Sequence, residues 1–170
     1  MALALMLFNL ALYFLGYHSD ADKYTSAETI TRISFWVIAF ACIIPGTMAR
    51  RSEIPATEDF GYGGALLTGF MISVFAGLFG IVTGYLYFHL INPNFIEVLI
   101  QAVTAKAEAK GAGSAQIAQM EKGIRFMMGP IMSPIVGFLV TVVCGTLVSL
   151  ITSIFIRRTA VEDLSAPPAV

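Results

Sequence analysis

A chain of 170 residues that is 57% hydrophobic and only 12% charged has too few polar groups to coat a soluble fold of its size, because soluble domains carry roughly 25% charged residues. Its mean hydropathy is +0.80. The formal net charge of −1 and the lack of a basic patch argue against a nucleic-acid role.

Asp, Glu, Lys and Arg are missing from four stretches, residues 2–17, 33–48, 65–91 and 131–156. A spanning helix needs about 20 apolar residues. The expected fold is therefore all-α: an integral membrane four-helix bundle in one membrane domain, 1–170, with an extramembrane helical hairpin between spans three and four. The spans are expected at about 2–18, 30–48, 62–91 and 130–156, and the hairpin at 94–128.

The first stretch is short and no basic residue precedes it. A secretory leader needs a positive start and a small-residue cleavage site, so a retained first span is the preferred reading and a leader the lesser one. The loop that follows holds Thr25 and Glu28 in capping-box spacing, which places the start of the second helix in water. That helix is expected to kink or end at Pro45-Gly46. Thr57 and Asp59 are candidate caps for the third helix.

The third span carries Gly69, Ser73, Gly77, Gly80 and Gly84 at intervals of four, four, three and four residues, within one narrow sector of the helix. The fourth carries Gly137, Thr141, Gly145, Ser149 and Ser153 at intervals of four. Small residues let helix backbones approach closely in lipid, so these faces are expected to pair spans three and four. The alternative is docking against a second membrane protein.

Tyr85, Tyr87, Phe88 and His89 close the third span as an aromatic band, expected at headgroup depth. Asn92-Pro93-Asn94 then turns the chain, since the residue before a proline avoids helical geometry. Asn94 is expected to cap the next helix with Glu97 as its partner. In the hairpin, Phe95, Leu99 and Val103 form one stripe, and Ile117, Met120, Ile124 and Met127 another, starting from Ser114.

Cys42 and Cys144 lie inside apolar stretches and offer no disulfide framework. His18, Asp20 and Asp22 are neighbours without a convincing ligand shell, so neither a metal nor any other cofactor is expected. Common catalytic motifs are missing from the sequence. Arg50-Arg51 and Arg157-Arg158 abut the ends of spans two and four, and basic residues favour the cytoplasmic side. Both termini are therefore expected in the cytoplasm, with the chain in a bacterial inner membrane.

The stretches "YGGALLTG", "INPNFIE" and "CGTLVSLITSIFIRR" resemble the small four-span bacterial membrane proteins grouped as a domain of unknown function, chiefly from Bacteroidetes-type bacteria. The resemblance covers residues 60–158 and is most specific at Asn92-Pro93 with Phe95 and Glu97. Members tend to carry a basic residue or two before the first span, which this chain lacks. The resemblance implies a four-helix inner-membrane protein and no activity.

The leading functional expectation is a non-enzymatic membrane protein acting through helix packing, as an accessory or structural subunit or a homo-oligomer. A small permease or channel component lined by Thr141, Ser149 and Ser153 is the runner-up. A membrane enzyme with an outer-loop site comes third.

Overall fold

The computed structural model describes residues 1–160, with Thr25 described by its backbone alone. Its regular elements among those residues are helices: α1 (Ala2–Phe14), α2 (Ala21–Glu53), α3 (Tyr62–Leu86), α4 (Phe95–Ala109), α5 (Ser114–Met127) and α6 (Met132–Ile156). A π turn, Tyr87–Ile91, prolongs α3. Three segments, Ser26–Glu53, Tyr62–Ile91 and Met132–Ile156, are long and apolar enough to cross a membrane.

The first helix is shorter than its hydropathy implied. Gly16 takes a left-handed φ of 81°, its N–H donates to Tyr13, and the N–H of Tyr17 donates to Leu12. This pair of bonds is a Schellman stop. It limits α1 to 13 residues, about 20 Å at 1.5 Å per residue, against a hydrocarbon layer of roughly 30 Å.

The second helix is longer than expected at both ends. Asp20 caps it, accepting from the Asp22 N–H at 2.9 Å, so the helix starts a full turn before Thr25 rather than at it. Pro45 sits within the helix rather than ending it. Proline removes one backbone bond, and the helix runs on until Ile54 turns extended before Pro55. Arg50 and Arg51 occupy the last turn, where positive charge complements the exposed carbonyls.

The third helix starts at Gly61 with no side-chain cap. Asp59 instead accepts from the Ala160 N–H. The π turn closes with the Asn92 N–H donating to Tyr87 at 2.8 Å, and Pro93 follows. Asn94 precedes α4 but makes no side-chain cap. Its expected partner Glu97 is held by Arg125 of α5 through two bonds of 2.6 and 3.0 Å. The inward residues of α4 are Phe95, Val98, Ile100, Ala102 and Ala107, a face rotated from the Phe95–Leu99–Val103 stripe because α2 and α5 both pack against this helix. A second Schellman stop at Gly111, φ 80°, ends α4.

The principal helix pair is α3 with α6. A Cβ added to Gly69 would lie 2.8 Å from the Ser149 Cβ, and one added to Gly145 would lie 2.6 Å from the Ser73 Cβ. Each helix therefore seats the other's serine on a bare backbone, at two levels of an antiparallel crossing. Ser73, Ser149 and Ser153 are fully buried, and their hydroxyls donate to the carbonyls of Gly69, Gly145 and Ser149 on their own helices. Ile43 of α2 plugs the crossing: it lies 3.2 Å from the Gly69 Cβ position and forms a buried cluster with Ala39 and Val148. Met1 packs against that cluster, so α1 begins beside the middle of the bundle.

At one end, Phe60 and Arg158 exchange two backbone bonds of 3.0 and 2.8 Å. The Arg158 guanidinium also donates to the carbonyls of Ile54 and Pro55. Four arginines thus gather where α2 ends, α3 begins and α6 ends.

Substituting leucine at Gly145 forces the Ser73 side chain and then the backbone to move, and overpacking of this kind costs about 1–3 kcal/mol or more. Thermal unfolding in detergent is expected to show a clear loss for Gly145→Leu and Gly69→Leu. Gly137→Leu, where an added Cβ meets nothing within 4 Å, is expected to unfold like the parent.

Candidate functional site

The residues singled out by sequence separate into three places. Gly69, Ser73, Gly77, Gly145 and Ser149 lie in the closed part of the α3–α6 seam, where Gly77 receives the Phe138 ring at 2.8 Å from its Cβ position. Gly80, Gly84 and Gly137 have nothing within 4 Å of theirs. Together with Thr141 they line a cavity of about 350 Å³. The stripe is therefore a closed seam below Phe138 and an open cleft above it.

The aromatic band divides as well. Tyr85 is 56% exposed and stacks on His89 with ring centroids 4.5 Å apart. Tyr87 is only 4% exposed; the wider π turn carries it inward, away from the headgroup position expected for it. Phe88 is half-buried. Asn92 is buried, while Pro93 and Asn94 are exposed at the turn.

Tyr87 belongs to a joint that sequence reading did not assemble. Its hydroxyl hydrogen-bonds Nδ1 of His18 at 2.5 Å. The Asn92 amide donates to the His18 carbonyl at 3.0 Å. Phe95 is the hub of this joint, with ring centroids 5.2 Å from His18, 5.7 Å from Tyr24, 6.1 Å from Tyr87 and 5.1 Å from Phe88. Edge-to-face and tilted ring pairs of this kind add about 0.5–1.5 kcal/mol each beyond burial. The joint fastens the α1–α2 connection, the π turn and the start of α4 into one corner. The signal in the sequence was a histidine in a polar loop and a proline turn flanked by rings, 74 residues apart from His18 to Asn92. Nothing local connects them.

His18 turns into this corner and away from Asp20, which caps α2. Among the described residues, no group of three His, Cys, Asp or Glu side chains converges to hold a metal ion. Burial pushes the His18 imidazole below its ordinary value of 6.5. In the α4–α5 pair, the Arg125 hydrogen bonds hold the exposed Glu97 carboxyl below the usual carboxylate range. That pair and the Glu28–Lys106 bridge between α2 and α4 (3.0 Å) are exposed and add little stability. They set the register of the helices they join.

Because folding lowers the His18 pKa, the unfolded chain binds the proton more readily. The stability held by a neutral His18 is thus complete above pH 6.5 and is lost as pH falls below it. Thermal unfolding in detergent, followed from about pH 8 to about pH 5, is expected to decline across this window. His18→Gln is expected to lower the starting stability and flatten that part of the decline.

The chain matches, over residues 1–158, the family described as "Protein of unknown function (DUF4199)". No curated protein and no solved structure matches it. A match over nearly the whole chain shows that this protein belongs to the DUF4199 family.

Proposed function

We propose that the protein is a non-enzymatic integral membrane protein that works by presenting a packed helical scaffold, as an accessory or structural subunit of a larger membrane complex. The observation that carries this reading is the chemistry of the seam. Its buried hydroxyls are committed to their own backbones, and the apolar stretches hold no Asp, Glu, Lys or Arg. Ion-coupled transport and proton relay normally place ionisable groups at membrane depth. Of the Thr141, Ser149 and Ser153 hydroxyls that a pore would need, those of Ser149 and Ser153 are sealed between helices, and that of Thr141 donates to the Gly137 carbonyl of its own helix.

In this reading α2, α3 and α6 cross the bacterial inner membrane, and α1 enters beside α3 as a shorter fourth segment. The α4–α5 pair lies outside the hydrocarbon as a hairpin, held by Glu97–Arg125. The end that gathers Arg50, Arg51, Arg157 and Arg158 faces the cytoplasm, because basic residues beside spans are retained there.

Two measurements test this. A reporter that is active only in the cytoplasm, fused after Ala160, is expected to be active, and one active only outside is expected to work when inserted at Gly111; the reverse pattern rejects the topology. Affinity purification from native membranes is expected to recover a stoichiometric membrane partner. Saturable solute flux into liposomes by the purified chain alone would overturn the scaffold reading.

A further inference from the structure

We propose that the open part of the α3–α6 seam is a binding site for one phospholipid acyl chain. The proposal rests on the reading that these two helices lie in the membrane. The opening begins beyond Phe138. Its ring sits at Gly77, whereas Gly80, Gly84 and Gly137 have nothing within 4 Å of their Cβ positions. The resulting cavity of about 350 Å³ is closed at the back by Leu5 and Met6 of α1.

Its rim includes Tyr85 and Val140, which are 56% and 48% exposed. They continue the outward surface that carries Phe79, Val82 and Ile131, so the cavity opens onto the face that hydrocarbon covers. The occupant follows from what is available at that depth. The lining is mostly apolar, with Asn9, Ser133 and His89 among its polar side chains. Thr141 and Thr83 in the wall donate to the carbonyls of Gly137 and Gly80 on their own helices, so few polar partners are left to hold water there. Left empty, the lining atoms would forfeit their dispersion contacts. Acyl chains are the surrounding solvent, and a methylene chain can lie directly along glycine backbone where no Cβ stands in the way. A lipid held in a three-sided cleft makes more contacts than one in the annulus, so it exchanges slowly.

The test is native mass spectrometry of protein extracted from phospholipid membranes and exchanged extensively into detergent. The parent protein is expected to keep one phospholipid. Gly84→Leu and Gly137→Leu, at two lining positions where an added Cβ meets nothing within 4 Å, are expected to lose it while unfolding at the same temperature or higher. Leu78→Ala, on the outward surface and 47% exposed in the parent, is expected to keep it. A parent protein that carries no phospholipid, or filled variants that carry as much as the parent, would overturn the site. Alkaline carbonate extraction separates the two failures: release from membranes rejects the membrane reading itself, whereas membrane-retained protein without retained lipid rejects only the cleft.

Discussion

The exchange of serines between Gly69 and Gly145 is the contact on which the rest of the bundle depends. Lipid tails are as apolar as leucine, so two helices in a bilayer gain little by hiding apolar surface from it. What remains is dispersion, which falls away within an ångström of lost contact. Glycine opposite serine brings the backbones together, and the serine hydroxyls, already bonded to their own helices, present no unsatisfied polar atom to the partner. Ile43 then finds a notch of fixed shape, which positions α2 across the pair. The corner around Phe95 works by a different principle: ring packing and two buried hydrogen bonds hold the polar connections of the chain rather than its apolar spans.

The two halves of the molecule are thus joined differently. Below Phe138, α2, α3 and α6 share one small-residue crossing, and the Phe60–Arg158 bonds fasten its base. Above it Gly80, Gly84 and Gly137 face open space, and the ties between elements include aromatic pairs and exposed ion bridges. The two parts of the bundle are thus held by different kinds of contact.

Much of the layout was legible in the sequence because lipid imposes simple rules. Uncharged runs mark the long helices, and Gly69, Ser73, Gly145 and Ser149 of the small-residue stripes mark where α3 and α6 touch. Stops were harder to read. Gly16 ends α1 through its backbone conformation, but Leu15 and Tyr17 keep the hydropathy high and hide the boundary. Thr25 and Glu28 have the spacing of a box, yet Asp20 captures the helix start five residues earlier. Pro45 has the signature of an end, and neighbouring helices hold the chain helical through it. The division of the glycine stripe was invisible for another reason. Gly77 and Gly80 belong to the same pattern, and only the direction of one phenylalanine ring makes them different. The inward turn of Tyr87 depends likewise on one extra residue in a helical turn and on a histidine far away along the chain.

The Phe60–Arg158 clasp has a consequence for biosynthesis. One of its halves precedes α3, and the other follows α6. A nascent chain therefore carries its glycine-faced third helix long before the matching surface exists. Throughout the making of α4 and α5 that helix has no α6 to fill its groove, and the clasp must wait until Arg158 has been added. The order of synthesis places the clasp after every helix of the bundle has been made.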